Sequence, residues 1–432
     1  MQCYKACLVE SAAKLRGGET ELGTFYEKLE SRFEAVEPQL QSFTTGPDFG
    51  ELAEATDVAK ERWAQTPVKP PLYGIPVGVK DIISVNGFET RAGSDLPPAV
   101  FRQPEAEVVT RLKEAGAIIV GKTVTTEFAC APPGPTRNPH HRDHTPGGSS
   151  SGSAAAVAAG LVPLALGTQT VGSVIRPAAY CGIVGFKPSQ GRIPTTGVVP
   201  VSTSADQLGA FTQDISGMVR AASVLCSNWT TPAHAPSEPI IGIPDEDYLR
   251  QATERGYRLY KSHCDILADA GFELNEIGLF ENIADLNDRH YALTDTEAAY
   301  AHAEWYTDYG DRYHPAVAEM VEDGREVDHS VVGRARSSQR QLRSRIATVM
   351  DEAGVDVVVT PAAPGTAPAG LDDTGDPVMN LPWTHAGVPV VTIPAGKAEN
   401  ELPVGLQCIA SHGADEQLFE MVTQLAVELG KS

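Results

Sequence analysis

Two serine-bearing glycine loops lie within one unbroken stretch, Gly147 to Gly191, and the small residues between them leave few ways to fold it. The first loop reads Gly-Gly-Ser-Ser-Ser-Gly-Ser from Gly147 and runs into alanines. The second reads Gly-Thr-Gln-Thr-Val-Gly-Ser-Val-Ile-Arg-Pro-Ala from Gly167 and leads through Cys181 to Pro188. The spacing between Ser149 and Ser173 suffices for one helix, one short strand and the turns that would bring both hydroxyls together. Ser153 to Ala159 predicts a tightly packed helix stopped by Gly160, and Leu161 to Leu166 a strand feeding the second loop. Upstream, Gly74 to Asp81 is an apolar, strand-like alternation whose Lys80 would have to point into the protein.

The surrounding chain supplies a frame. Leu22, Phe25, Tyr26, Leu29, Phe33 and Val36 recur at helical spacing behind Gly17-Gly18 and predict an amphipathic helix laid on the core. A second helix, roughly Leu52 to Trp63, precedes the Lys80 strand. A helix carrying Val108, Val109, Leu112 and Ala115 then leads to the strand Ala117 to Val120, a β-α-β alternation. Gly116 to Thr123 satisfies the phosphate-loop pattern, yet the four residues between its glycines read as buried strand instead of a loop aimed at phosphate, so no nucleotide is expected. Ser11 to Lys14 fits the Ser-x-x-Lys pattern of penicillin-recognising enzymes without the partner motifs that chemistry needs. From Tyr248 to Gly354 the composition turns helical and aromatic. Strands at Val355 to Val359, Val388 to Ile393 and Val404 to Ile409 follow, and a helix with Leu418, Met421, Val422, Leu425 and Leu429 on one face closes the pattern.

Bulk properties narrow the function classes. The 432 residues, 42% of them hydrophobic, can bury one large core or two modest ones, and motifs spread over both halves favour a single domain, 1–432. A formal net charge of −22 argues against nucleic acid or an anionic membrane as a standing partner. No run approaches the roughly 18 apolar residues of a membrane span, and Met1 to Lys5 opens no apolar signal region, so a cytoplasmic protein is expected. Seven cysteines without a Cys-x-x-Cys pair read as reduced packing thiols. His140, His141 and His144 sit in a proline-rich loop read as solvated, with no acidic or cysteine partner at ligand spacing. Neither a metal nor a cofactor is expected.

The three motifs around Lys80, Ser149 and Ser173, in this order, resemble the amidase signature family, whose members hydrolyse amides with a Ser-Ser-Lys triad. The resemblance starts at Leu15 to Thr20 and closes with Asp356 to Pro361 and Leu402 to Gln407, so it covers nearly the whole chain. It implies an α/β fold, a mixed and largely central twisted β-sheet covered by helices on both faces. It makes Ser173 the nucleophile, Ser149 the bridging serine, usually preceded by a cis peptide, and Lys80 the general base. The backbone N–H groups of Thr170, Val171, Gly172 and Ser173 would form the oxyanion hole. Relatives commonly carry Asp at the position of Gln169 and Gly at that of Val171, and a β-branched residue does not readily take a positive-φ turn. Arg176 stands one place later than in the commonest form and receives no substrate role. Asp206, in a block that also resembles the family, is read as structural.

In relatives the region corresponding to 248–354 is variable and helps shape the substrate pocket. Tyr306, and Trp383, Thr384 and His385 just before Gly387, are the candidate substrate contacts. The implied activity is hydrolysis of a carbon–nitrogen bond in a small amide, anilide or carbamate (urethane), with esters possible, by a monomer or homodimer. Lys80 serves only when neutral, and a free lysine titrates near pH ~10.4, so burial and the positive end of the following helix must lower it by roughly three units, at about 4 kcal/mol. Two alternatives stand beside this. Gly148 to Gly152 also fits a nucleophile elbow with Ser150, completed on paper by Asp372 and His385, but that elbow needs a strand directly before it and Arg142 to Pro146 is proline-broken. The A subunit of a glutamyl-tRNA amidotransferase complex resembles the same family, although Gln169 and the compact tail lean against it.

Overall fold

Lys80 ends a five-residue strand, and the computed structural model, which describes residues 7–230, 236 and 238–430, flanks that strand with a parallel neighbour on each side. The expectations for Met1 to Lys5, Cys3 included, lie outside the described residues. Among the described residues eleven strands form one mixed sheet. They are β1 (Phe43–Thr45), β2 (Pro76–Lys80), β3 (Ile118–Thr123), β4 (Leu164–Gln169), β5 (Val184–Lys187), β6 (Gln207–Thr212), β7 (Ile241–Ile243), β8 (Leu274–Glu276), β9 (Val357–Pro361), β10 (Val390–Lys397) and β11 (Pro403–Ile409). Across the sheet the order is β1-β3-β2-β4-β6-β5-β10-β11-β9-β7-β8. The β2, β4 and β6 strands are buried at every residue, as strands covered on both faces must be.

Helices supply those covers. The Ser151–Ala158 and Ile175–Cys181 helices pack on each other and on the middle strands. The other layer contains the Glu107–Glu114, Ile215–Leu225, Glu254–Asp269 and Asp415–Leu429 helices. Ser151–Ala158 is built of Ser, Gly, Ala and Val and is wholly buried, and it reaches the sheet only because its residues are small. A Cβ on Gly152 would overlap the Ser42 carbonyl and the backbone of Val124.

The amphipathic N-terminal helix runs Leu22–Leu40 and buries Leu22, Tyr26, Leu29, Phe33 and Val36. The β-α-β unit is β2, the Glu107–Glu114 helix and β3, with Gly116 at φ 90° after the helix and the next residues in strand. Two expectations shift. The strand into the second loop starts at Leu164, not Leu161, because Leu161 N–H still closes the preceding helix on Ala156 O, and Pro163 has no N–H for a ladder. The 248–354 segment is not purely helical, since β8 inserts at a sheet edge beside β7. Its remaining length holds the Ile283–Ala301, Ala303–Tyr309, Pro315–Glu326 and His329–Glu352 helices. Of its aromatic residues, Trp305 and Tyr313 pack with Phe101 and Phe128, whereas Tyr300 is exposed. Among the described residues no helix is long and apolar enough to cross a membrane, and no disulfide is formed.

Candidate active site

Burial dictates the chemistry of Lys80. Its side chain is fully enclosed, and Nζ lies 2.7 Å from Ser149 Oγ and 2.8 Å from Thr168 Oγ1. Desolvation pulls its pKa down to about 7, against the opposing pull of Asp206 and Cys130. Two other buried lysines show what distinguishes it. Lys122, on the next strand, is paired with Asp81 at 2.9 Å. Burial also draws Lys187 down to about 7, but Pro188 O, Gln207 Oε1 and Val388 O surround it, acceptors that match the three N–H bonds of an ammonium. Lys80 meets only hydroxyls, which can donate as well as accept, so a neutral amine is satisfied there.

The first loop reaches Lys80 through Ser149, whose peptide bond to Gly148 is cis. Arg176 holds that peptide, its Nη2 donating to Gly148 O at 2.7 Å. Because Arg176 follows Ser173 by three residues, one guanidinium ties the two serine loops together. Gly147 rests on Pro177 so closely that a Cβ would come within 2.8 Å of the proline Cα. Ser150, the alternative nucleophile, is excluded from this role by its surroundings. Its hydroxyl is fully buried, donates to Thr168 O at 3.2 Å and accepts from Thr168 N at 3.3 Å. No strand precedes it, and His385 is committed elsewhere, so the elbow reading is withdrawn.

The second loop, Thr170 to Ser173, leaves the end of β4 and enters the Ile175–Cys181 helix. Gln169 organises the exit. Its Oε1 accepts from the N–H groups of Val174 and Ile175 at 2.8 and 3.0 Å, and its Nε2 donates to Thr384 Oγ1 at 2.9 Å. An uncharged amide thus caps the helix, with a donor left over that a carboxylate would lack. No residue from 170 to 173 takes a positive φ, so Val171 is compatible with the loop. Gly172 is required by space, since a Cβ would lie 2.5 Å from Asn380 Oδ1 and 2.8 Å from Pro377 Cβ.

Three clamps turn the loop's oxygens away. Thr170 Oγ1 donates to Asp206 Oδ1 at 2.6 Å, His290 Nε2 lies 3.1 Å from Thr170 O, and Thr384 Oγ1 donates to Val171 O at 2.6 Å. Asp206 also accepts from Val201 and Ser202 N–H, consistent with the structural role read for it. Burial raises its carboxyl to about 6, opposed by these hydrogen bonds and by Lys80. In a planar trans peptide the N–H points opposite the preceding C=O. The Val171 and Gly172 N–H groups therefore face the other way, and with that of Ser173 they donate to no group among the described residues. The Ser173 hydroxyl, at the edge of solvent with 8% of the residue exposed, likewise makes no hydrogen bond among the described residues, including none with Ser149.

The candidate substrate contacts are placed differently from expectation. Trp383 is fully buried among Tyr248 and Phe280, with its indole N–H donated to Tyr248 Oη at 2.9 Å, and is a core residue. His385 is buried and bonded through both ring nitrogens, to His290 at 3.2 Å and Ser338 at 2.7 Å. The Tyr306 hydroxyl is committed to Glu322 at 2.7 Å on the exposed side of its helix. The loop with three histidines is partly packed, not simply solvated, as His140 Nε2 meets Cys181 O at 2.9 Å. Sequence reasoning missed Thr168, His290 and Ser338, and it took Thr384 as a substrate contact, whereas its hydroxyl holds the Val171 carbonyl. Thr168 lies next to the end of a recognised strand, but His290 and His385, 95 positions apart, share no local pattern.

Known proteins resemble this chain over most of its length. The amidase family profile covers residues 25–419. The chain is similar to the A subunit of the glutamyl-tRNA(Gln) amidotransferase of Methanospirillum hungatei JF-1, with 32% identity over 84% of this chain and 94% of the relative. It is similar to the crystal structure of an amidase, with 28% identity and a TM-score of 0.89 over 98% of this chain and 100% of the other. It is also similar to the native peptide amidase from Stenotrophomonas maltophilia, with 26% identity and a TM-score of 0.83 over 98% and 96% of the two chains. A profile that leaves out only the ends, on a fold shared along the whole length, shows that this chain belongs to the amidase signature family.

Proposed function

We propose that the protein hydrolyses a carbon–nitrogen bond in a small linear amide, anilide or carbamate, with esters as secondary substrates, through an acyl-enzyme on Ser173. The observation that carries the reading is the 2.7 Å contact of Lys80 Nζ with Ser149 Oγ, in an enclosed site where no carboxylate touches the amine among the described residues. With the Ser173 hydroxyl, unbonded among the described residues, turned onto Ser149 Oγ as substrate enters, neutral Lys80 takes the Ser149 proton while Ser149 takes that of Ser173. Ser173 Oγ bonds to the substrate carbonyl carbon, and the carbonyl π pair moves onto oxygen. The Val171, Gly172 and Ser173 N–H groups hold that oxyanion, each donor lowering the barrier by roughly 3 kcal/mol. The C–N bond then breaks as a proton returns through Ser149 to the leaving nitrogen, and water releases the acyl group by the same relay in reverse.

A fluorophosphonate probe, followed by peptide mapping, is expected to label Ser173. Ser173→Ala, Ser149→Ala and Lys80→Met are each expected to lower hydrolysis across a panel of anilides, primary amides and carbamates by 10² to 10⁴ or more, an order-of-magnitude range for proton-transfer and nucleophile loss. An adduct on Ser150, or full activity in Ser173→Ala, would sink the reading. The 32% identity to the A subunit of an amidotransferase supports a second reading, in which the same chemistry releases ammonia inside a complex. Purified protein that is silent on the panel but hydrolyses glutamine once a partner from extract binds it would favour that reading.

A further inference from the structure

We propose that His290 and His385 are positioning residues for the oxyanion loop, joined in a one-directional chain of hydrogen bonds that begins at Ser338 and ends on the Thr170 carbonyl. The inference rests on the hydrolase reading above for its kinetic consequence, while its geometry stands alone. Each step fixes the next. The Thr170 carbonyl can only accept, so the His290 Nε2 that lies 3.1 Å from it carries a proton. Both rings are buried, and no carboxylate contacts either of them among the described residues, which leaves them uncharged. Burial draws His290 down to about 4 and His385 to about 3, where His290 and Arg289 add to the effect. With its one proton on Nε2, His290 presents a lone pair at Nδ1, so the facing His385 Nδ1, 3.2 Å away, must be the donor. His385 Nε2 is then a lone pair, and Ser338 Oγ, 2.7 Å away, donates to it in preference to Ala335 O at 2.8 Å.

A parallel chain runs beside the first from the same short helix, Leu381–Ala386. Thr384 accepts from Gln169 Nε2, so its own proton is available to Val171 O. The two chains hold consecutive carbonyls, and peptide planarity sends the next N–H groups, those of Val171 and Gly172, toward the reacting carbonyl. Ser338 and His290 come from the His329–Glu352 and Ile283–Ala301 helices. The segment implied to shape the substrate pocket therefore also aims the hole.

The intact protein, labelled with ¹⁵N at histidine, is expected to show the Nε2–H tautomer at His290 and the Nδ1–H tautomer at His385 near neutral pH. The opposite tautomer at either ring, or an imidazolium, overturns the chain of donors. On any substrate the wild type turns over, His290→Leu is expected to lower kcat about 10- to 100-fold with KM changed by less than about twofold, the pattern of an interaction made in the transition state. His290→Gln, whose amide can still donate to Thr170 O, is expected to recover most of that loss. Equal loss in both variants, or a raised KM with kcat intact, rejects the positioning role. Should the leucine variant fail to fold, Ser338→Ala supplies a second test: the Nδ1–H tautomer of His385, fixed by the lone pair it faces on His290, should persist while kcat falls several-fold, and a His385 proton found on Nε2, or an unchanged kcat, refutes the relay. Loss of the hydrolase reading itself would appear as an inert wild type or an active Ser173→Ala, while the tautomers would still judge the relay.

Discussion

At the residue scale the decisive contrast is among lysines of equal burial. Lys122 keeps a carboxylate, Lys187 keeps three acceptors, and Lys80 has two hydroxyls. If Lys80, its pKa drawn down to about 7 by burial, is the base proposed above, kcat/KM is expected to rise with pH from 6 to 8 and then level. A profile flat down to pH 5 would refute its role as base. The same burial destabilises the fold. Between about 7 and the ordinary lysine range the unfolded chain binds a proton that the folded chain does not, so stability rises with pH through that window. Lys80→Met removes the penalty and is expected to unfold later than wild type near pH 7, by up to about 4 kcal/mol, while turnover is lost. Lys80, Ser149 and Ser173 were legible because each sits in a motif. Gln169 stands out in the sequence only as a departure, and its double duty as helix cap and Thr384 donor depends on a helix more than 200 residues away.

At the element scale, small residues decide what can approach what. The Ser151–Ala158 helix has almost no side chains with which to hold its place, so contact distance replaces interdigitation. Gly152→Ala is expected to lower the melting temperature by several degrees, since the added methyl meets the Ser42 carbonyl and the Val124 backbone, and overpacking of this kind costs about 1–3 kcal/mol. An unchanged melting curve would show that the helix can retreat. The order of strands and helices around β2 and β4 was legible from apolar runs and glycine stops. The start of β4 and the existence of β8 were not, because a proline and a three-residue edge strand leave almost no periodic signal. The pairing of the Ile283–Ala301, His329–Glu352 and Leu381–Ala386 helices behind the oxyanion loop was likewise invisible, as it is a tertiary fact with no sequence period.

At the scale of the whole molecule, the sheet joins segments from both halves of the chain, with β5 and β6 leading directly to β10 and β11. We expect a single cooperative unfolding transition, with calorimetric and van't Hoff enthalpies in agreement; two resolved transitions would divide the chain into separate units. The bridge from Arg176 to the Gly148 carbonyl fixes how far such a molecule can yield. A bulky substrate that prised the two hydroxyl-bearing turns apart would have to snap that strut first. For the hydrolase proposed above, discrimination by size is then expected to depend on the frame of the machine as well as on the lining of its entrance.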